Sequence, residues 1–250
     1  MTFALETIGL DKQFGGLHVT RDLSLKIAAG ARHALIGPNG AGKTTVINLL
    51  TGVIRPNGGR IVLEGTDITG LSVRARVLRG LSRTFQINQL YADLTPIETI
   101  GLAVSERLGH GGDWWRRLGS RAEVNAEIAD VLTRFHLLDV MNEPTATLPY
   151  GKQRLLEIAL AIATRPRVLL LDEPAAGVPQ GERQDILAAV AALPREVTVL
   201  LIEHDMDLVF SFADRISVMV NGAMLVEGPP DEVARDPRVK AVYLGEGADA

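Results

Sequence analysis

The sequence predicts an α/β fold with a central parallel sheet that is interrupted by a helical segment. Two continuous apolar runs, residues 168–171 and 197–202, are typical of strands in a parallel sheet that is covered on both faces. A glycine-rich stretch at residues 37–45 joins a short strand-like segment to a helix-like one. Residues 121–135 have helical spacing, with apolar side chains at Val124, Ile128, Val131 and Leu132.

The other elements are predicted from apolar patterning and from turn residues. Residues 5–10 and 23–27 are expected to be strands around a turn with two glycines, and residues 60–64 are expected to be a further strand. Near the C-terminus, the Asn-Gly pair at residues 221–222 suits a type I′ turn and predicts a hairpin. A terminal helix is expected to start at Asp231, after two prolines.

These elements predict a single domain over residues 1–250. Its α/β core comprises residues 1–87 and 164–250, and residues 88–163 form a helical subdomain. Within that subdomain, both tryptophans of the chain lie beside two arginines. The favoured interpretation of Trp114 and Trp115 is that they cover the subdomain, and the alternative is contact with a membrane surface or a partner.

Composition excludes several classes of protein. The formal net charge of −4 gives no electrostatic reason to expect nucleic acid as the main partner. The absence of cysteine excludes disulfides and thiol-based metal sites. No signal sequence is expected, because residues 1–10 lack a basic start. The apolar runs are far shorter than the roughly 18 residues that a membrane helix needs, so any membrane contact is expected through another protein.

Residues 37–45 predict a phosphate-binding loop, because they fit the pattern G-x-x-x-x-G-K-[ST]. Such a loop turns successive backbone N–H groups inward at the start of a helix, where anions bind. Lys43 is expected to add a charge on the β- and γ-phosphates, and the Thr44 hydroxyl to complete a Mg²⁺ shell. The candidate residues of this loop are Gly37, Pro38, Asn39, Gly40, Ala41, Gly42, Lys43, Thr44 and Thr45.

Two acidic residues follow the apolar run at residues 168–171, and they narrow the range of possible enzyme classes. A phosphate loop alone leaves ATPases, GTPases and kinases open. In this setting the first carboxylate, Asp172, holds Mg²⁺, usually through water. Glu173 lies just past the strand end, where ligands of open parallel sheets bind, and is well placed to deprotonate an attacking water.

Together the motifs resemble those of the ATP-binding subunits of ABC transporters. The resemblance also rests on Gln86 in Arg-Thr-Phe-Gln, on residues 148–154 (Leu-Pro-Tyr-Gly-Lys-Gln-Arg) and on His204 in Ile-Glu-His-Asp-Met. The order and spacing of these motifs match across nearly the whole chain. The resemblance implies a RecA-like P-loop NTPase core with a parallel sheet, an N-terminal antiparallel β subdomain, and an inserted α-helical subdomain that carries the signature motif.

The resemblance also implies roles for single residues. Two such domains would form a head-to-tail pair around two ATP molecules, with Mg²⁺ as the metal. Gln86 would sense the γ-phosphate and couple the site to a transmembrane subunit. His204 would contact the γ-phosphate and hold the attacking water with Glu173, while Phe14 would stack on adenine, a contact worth about 1–3 kcal/mol by analogy with base–aromatic stacking. The implied Mg²⁺ ligands are Thr44, Gln86 and Asp172.

Three features resemble the branch that serves importers of branched-chain and other hydrophobic amino acids, with urea and amide importers close by. They are Tyr150, residues 175–178 (Ala-Ala-Gly-Val) and residues 242–246 (Val-Tyr-Leu-Gly-Glu). The resemblance implies a sister ATPase subunit, two transmembrane permease subunits and, indirectly, a periplasmic binding protein. It also implies a peripheral location at the cytoplasmic face of the inner membrane.

Three other functions remain open from the sequence alone. One is the ATPase of a lipid or polysaccharide exporter, which is a close relative within the family. Another is a soluble ABC ATPase that acts on DNA or ribosomes. The third is a P-loop kinase, against which the signature motif and the water-activating role of Glu173 both argue, because a kinase excludes water.

Two prolines depart from the family pattern. The signature residues expected to face a partner's ATP are Pro149, Tyr150, Gly151 and Lys152. Pro149 replaces the usual serine and offers neither a hydroxyl nor a backbone N–H. The hydrogen bond that the serine hydroxyl would make to the charged phosphate is therefore missing, and such a bond is worth about 1.5–3 kcal/mol. Pro179 stands where an aspartate commonly crosses the dimer interface, so we expect an asymmetric heterodimer with one slower site, although a homodimer remains possible.

Overall fold

The computed structural model describes residues 2–84, 90–109 and 122–244. The chain divides into two compact units. The α/β unit comprises Met1–Arg83, Arg167–Glu173 and Pro194–Ala250. The helical unit comprises Thr84–Pro166 and Pro174–Leu193.

Within the described ranges, the chain begins with two long strands and ends with two short helices. The strands are β1 (Phe3–Phe14), β2 (Leu17–Ala28), β3 (Arg32–Ile36), β4 (Gly58–Leu63), β5 (Thr66–Asp67), β6 (Leu81–Arg83), β7 (Val168–Asp172), β8 (Thr198–Ile202), β9 (Arg215–Val220) and β10 (Ala223–Gly228). The helices are α1 (Lys43–Thr51), α2 (Val73–Val77), α3 (Pro96–Arg107), α4 (Ala122–Arg134), α5 (Tyr150–Ala163), α6 (Gln180–Ala191), α7 (Met206–Phe212), α8 (Pro230–Arg235) and α9 (Pro237–Leu244).

The α/β unit contains two sheets. One is antiparallel, with the strand order β2-β1-β4-β5, and the other has the order β10-β9-β3-β8-β7-β6. In the second sheet β6, β7, β8, β3 and β9 are parallel, and only β10 is antiparallel to its neighbour. Every residue of β3, β7 and β8 is buried, and for β7 and β8 the continuous apolar runs predicted this. The predicted α/β fold class is therefore confirmed.

One apolar core lies among both sheets and α1. Leu5 of β1, Ile47 of α1 and Leu200 of β8 are all fully buried members of it. Burial of a side chain of this size stabilises the fold by about 1.5–3 kcal/mol. Because α1 is held by this core, the loop that precedes it has a fixed position at the edge of the parallel sheet.

The hairpin between β9 and β10 turns through the predicted Asn-Gly pair. Asn221 and Gly222 have φ angles of 49° and 81°, the two positive values that a type I′ turn requires. The Gly222 amide donates to the Ala41 carbonyl oxygen at 3.0 Å, and its carbonyl accepts from the Arg21 amide at 2.8 Å. The turn thereby connects the phosphate loop with β2.

The helical unit is built from α3, α4, α5 and α6. Helix α3 begins with a capping box in which Thr95 and Glu98 satisfy each other's backbone amides, and Pro96 occupies its first turn. The buried residues of α4 are the four that helical spacing predicted, namely Val124, Ile128, Val131 and Leu132. Over the ranges that the structure describes, no helix is both long and apolar enough to cross a membrane.

Candidate functional site

The predicted phosphate loop is a turn between β3 and α1 in the α/β unit. Gly42 provides no side-chain cap for α1, so the first amides of that helix are presented at its start. Gly37 is buried, and a Cβ atom there would lie 2.2 Å from the Met219 carbonyl oxygen. Only glycine fits this close approach between the loop and β9. Asn39, Gly40 and Thr44 are exposed, so the outer surface of the loop is accessible.

Lys43 is held over the loop that precedes it. Its ammonium group donates to the carbonyl oxygens of Gly37 at 2.6 Å and of Pro38 at 3.1 Å. These bonds place a positive charge next to the amides at the start of α1, where the helix dipole already favours anions. The arrangement is therefore suited to a polyanion such as a nucleotide phosphate chain.

Phe14 ends β1 and keeps nearly half of its surface, 48%, exposed to solvent. The Lys12 ammonium lies 4.9 Å from the ring centroid, which is within the range of a cation–π contact. An exposed aromatic ring with a cation on one face can present the other face to a planar group. The ring is therefore available for the stacking contact that the resemblance implies.

Asp172 is the last residue of β7 and is 4% exposed. Arg83, at the end of the neighbouring strand β6, places Nη2 3.4 Å from Asp172 Oδ2. The same guanidinium donates from Nη1 to Asn48 Oδ1 in α1 at 2.9 Å. Arg83 therefore connects the buried acid with the helix that starts at the phosphate loop.

Glu173 follows β7 in a left-handed backbone conformation, with φ at 46°. Such a conformation is uncommon for a residue with a side chain and costs of order 1–3 kcal/mol. The Glu173 amide donates to the Ile202 carbonyl oxygen at 2.9 Å, which extends the pairing of β7 and β8 by one residue. The Glu173 side chain is 23% exposed, and Oε1 lies 3.7 Å from His204 Nδ1. The predicted base and the predicted histidine therefore lie side by side at the ends of neighbouring strands.

The signature residues lie at the start of α5, in the helical unit. Pro149 is the N-cap residue and supplies no side-chain cap. The Gly151 amide donates to Glu182 Oε2, in the first turn of α6, at 3.0 Å. The Tyr150 ring packs on Gly177, where a Cβ atom would lie 3.4 Å from it. Gly151, which is expected to face a partner's ATP, thus has a carboxylate of its own chain as the partner of its amide.

Lys152 makes contacts within the helical unit. Its ammonium group donates to both carboxylate oxygens of Asp139, at 2.9 and 3.0 Å, and to the carbonyl oxygen of His136 at 2.5 Å. The hydrogen bond from Lys152 is the main cause of an Asp139 pKa below its ordinary value. Lys152 therefore holds the segment that follows α4.

The structure brings together one group of predicted residues in the α/β unit. The loop at residues 37–45 and Asp172 are connected through Arg83 and α1, and Glu173 lies beside His204. Gln86 and the two tryptophans lie outside the described residues. Sequence reasoning missed Arg83, Glu182 and Glu203, although Arg83 shares the Arg-Thr-Phe-Gln motif with Gln86 and Glu203 immediately precedes His204.

A glycine-rich loop at a helix start, followed by acidic residues at the ends of parallel strands, defines a P-loop nucleoside triphosphatase. Comparison with known proteins narrows this class. The family profile described as "ABC transporter" matches residues 20–176, and a second one, "Branched-chain amino acid ATP-binding cassette transporter", matches residues 223–249. The chain belongs to the ABC transporter family, as an ATP-binding cassette that hydrolyses ATP.

Relatives of known function match over nearly their whole length. The high-affinity branched-chain amino acid transport ATP-binding protein BraF of Pseudomonas aeruginosa is 43% identical, over 97% of this chain and 98% of that protein. LivG of Escherichia coli, described in the same words, is 40% identical over the same shares. Among solved structures, the ADP conformation of MJ1267, an ATP-binding cassette of an ABC transporter, superposes with a TM-score of 0.83 at 30% identity, covering 98% of this chain and 99% of that one.

Proposed function

We propose that the chain is the ATP-hydrolysing motor subunit of an importer for branched-chain or other hydrophobic amino acids, or for related small amides. The observation that carries this proposal is the grouping of the phosphate loop, Asp172, Glu173 and His204 in one α/β unit. The full-length similarity to the BraF and LivG proteins supports the class of cargo. None of these residues is proposed to bind the transported molecule.

In this proposal the phosphate loop binds the nucleotide. The backbone amides of residues 37–45 surround the phosphates, and Lys43 places its charge on the β- and γ-phosphates. Phe14 stacks on adenine with the ring face opposite Lys12. All of these groups belong to the α/β unit.

The residues present fit magnesium. The ion prefers oxygen ligands and is usually held by one or two carboxylates together with substrate phosphates. Asp172 offers a carboxylate and Thr44 an exposed hydroxyl, both in the α/β unit. Thr44, Asp172 and Gln86 would hold it, and the ion would supply positive charge to the β- and γ-phosphate oxygens.

Glu173 acts as the general base for hydrolysis. Its partly exposed carboxylate accepts a proton from a water molecule, which then attacks the γ-phosphorus while the bond to the β-phosphate breaks. His204, on the neighbouring strand end, helps to hold that water and the γ-phosphate. The left-handed conformation of Glu173, fixed by the Ile202 carbonyl oxygen, turns the base away from the line of β7.

A second ATPase subunit completes the motor. The start of α5, with Pro149, Tyr150, Gly151 and Lys152, faces the ATP of that sister subunit, and the substitution of proline at residues 149 and 179 favours a heterodimer with unequal sites. Two permease subunits convert closure of the pair into transport, and a periplasmic binding protein delivers the cargo. The chain itself is peripheral, at the cytoplasmic face of the membrane.

The substitution Glu173→Gln tests the assignment of the base. Loss of a general base typically lowers the rate by 10²–10⁴-fold, whereas the amide preserves the size of the side chain. We expect Glu173→Gln to bind ATP with wild-type affinity and to hydrolyse it at least a hundredfold more slowly in a steady-state phosphate-release assay. The matched control is Glu196→Gln, at an exposed position of the same unit, which is expected to retain wild-type turnover. Wild-type turnover in Glu173→Gln would remove Glu173 from this role.

The cargo is tested by reconstitution with the cognate permeases and binding protein in lipid vesicles. We expect ATP hydrolysis to rise when the binding protein carries leucine, isoleucine or valine, and to stay basal when it is empty. Stimulation by DNA instead would support a soluble ABC ATPase. Stimulation by a lipid or polysaccharide substrate on the chain's own side of the membrane would support an exporter.

A further inference from the structure

Arg83 is a largely buried arginine at the end of β6. Its side chain is 13% exposed, and that of Asp172, on the neighbouring strand β7, is 5% exposed. Taking a guanidinium and a carboxylate out of water carries a large penalty, which their attraction offsets only where the geometry is good and further hydrogen bonds are made. Since burying such a pair adds little net stability, stability alone does not account for this arginine.

The register of the parallel sheet sets the direction in which these two side chains project. Arg83 pairs with Leu170 of β7, and Asp172 follows Leu170 by two residues, so all three side chains lie on the same face of the sheet. Leu170 is buried in the same apolar cluster as Ile47 and Leu50 of α1. Arg83 and Asp172 therefore project from the face that α1 covers.

The Arg83 guanidinium connects Asp172 with α1. Its Nη1 atom donates to Asn48 Oδ1 at 2.9 Å, and its Nη2 atom donates to Asp172 Oδ2 at 3.4 Å. Because arginine stays charged and acts only as a donor, the direction of both hydrogen bonds is fixed. Because the guanidinium is planar, its two nitrogens also hold Asn48 and Asp172 in one relative arrangement.

Asn48 lies one helical turn after Thr44, which is also a proposed magnesium ligand. Residues four apart lie on the same face of a helix, so Thr44 and Asn48 belong to the same side of α1. The arginine that links Asn48 to Asp172 therefore also fixes the helical turn that carries Thr44 relative to the Asp172 carboxylate.

We propose that Arg83 is a positioning residue for the magnesium site. It holds the Asp172 carboxylate through Oδ2 and the first turns of α1 through Asn48, so that Asp172 and Thr44 are placed to share one ion. This inference rests on the proposed function, in which these two residues hold the magnesium that arrives with ATP. In this scheme Arg83 itself contacts neither the ion nor the nucleotide. Partners that hydrogen-bond a metal-ligating side chain typically account for about 10–100-fold in metal affinity.

Isothermal titration calorimetry of the full-length chain with ATP, in magnesium and in EDTA, measures this effect. The ratio of the two dissociation constants gives the contribution of magnesium to ATP affinity. Arg83→Lys keeps the positive charge, but its single nitrogen cannot reproduce the planar pair of contacts. We expect Arg83→Lys to lower the magnesium contribution about tenfold or more, while ATP affinity in EDTA stays within about twofold of the wild type.

The possible results separate this inference from the proposed function. An unchanged ratio in Arg83→Lys, or an equal loss of affinity in magnesium and in EDTA, would overturn the inference and leave the proposed function in place. No magnesium dependence in the wild type would overturn both. The matched control is Arg60→Lys, at an exposed position of β4, which is expected to keep the wild-type ratio.

Asn48→Ala tests the same connection from α1, and it remains decisive if the Arg83 variants fail to fold. It removes the 2.9 Å hydrogen bond and leaves the charge of Arg83 in place. We expect Asn48→Ala to lower the magnesium contribution and to cause no further loss when it is combined with Arg83→Lys, because either change breaks the connection. A wild-type ratio in Asn48→Ala, or additive losses in the double variant, would contradict the inference.

Discussion

His33 is a buried histidine whose protonation makes the stability of the fold depend on pH. It lies in β3 with no exposed surface, and its Nε2 atom is 2.8 Å from Ser217 Oγ. The Ser217 hydroxyl donates to Glu227 Oε2 at 2.9 Å, so its oxygen accepts from His33 Nε2–H. The imidazole is thereby placed as a neutral donor inside the sheet.

Burial lowers the pKa of His33 from 6.5 to about 4, because the charged form loses its hydration. The Glu227 carboxylate partly opposes this change, and Arg215 adds to it. Each tenfold change in proton affinity corresponds to about 1.36 kcal/mol, so charging His33 in the folded state costs about 3 kcal/mol.

The direction in which stability changes with pH follows from proton binding in the folded and unfolded chains. Between pH 6.5 and about 4 the unfolded chain binds a proton at this residue and the folded chain does not. The contribution of His33 to stability is therefore fully present above pH 6.5 and is lost as the pH falls toward 4.

The assay is urea unfolding of the wild type and of His33→Gln at pH 7.5 and pH 4.5. Gln cannot titrate but keeps a donor for Ser217, so the difference between the two proteins isolates the imidazole. We expect the wild type to lose about 2–3 kcal/mol more than His33→Gln over this interval. Ser217→Ala retains the imidazole and is expected to lose as much as the wild type. Equal losses in the wild type and His33→Gln would show that the imidazole is not the source of this pH dependence.

Two further predictions concern the loop and the signature helix. Gly37→Ala is expected to weaken ATP binding at least tenfold in calorimetry, because its methyl group would lie 2.2 Å from the Met219 carbonyl oxygen. In the control variant Gly40→Ala the methyl group meets no atom within 4 Å, so the loss of ATP affinity should be smaller. Equal losses of affinity in the two variants would contradict a steric cause. Glu182→Ala is expected to lower the free energy of unfolding by about 1–2 kcal/mol in urea, because the start of α5 loses its carboxylate. Asp185→Ala, at an exposed position of α6, should change the free energy of unfolding by less than about 0.5 kcal/mol. Equal effects of Glu182→Ala and Asp185→Ala would show that the Glu182 carboxylate does not stabilise the start of α5.

Local patterns predicted most of the fold. The continuous apolar runs gave β7 and β8, and helical spacing gave the buried residues of α4, because burial repeats with the period of each element. The Asn-Gly pair predicted the hairpin, because few other residues adopt two positive φ angles in succession. The boundaries of the helical subdomain, at residues 88 and 163, remain a prediction.

The fine structure of the site could not be predicted in the same way. The contact between Arg83 and Asp172 joins residues on neighbouring strands that are far apart in the chain, so no local period reveals it. The carboxylate of Glu182 on the Gly151 amide depends in the same way on how α5 and α6 pack. Glu203 was adjacent to a predicted residue, but its burial depends on the end of β8 and on the sheet around it.

In the proposed function, the loop before α1 binds a nucleotide through its amides and Lys43. Isothermal titration calorimetry of the full-length chain with ATP, with and without Mg²⁺, tests it most directly. We expect binding that depends on Mg²⁺ in the wild type and a large loss of affinity in Lys43→Ala, since Lys43 Nζ lies 2.6 Å from the Gly37 carbonyl oxygen within the loop. No Mg²⁺-dependent uptake of ATP by the folded wild type, or equal affinity in Lys43→Ala, would rule out nucleotide binding by this loop and Lys43.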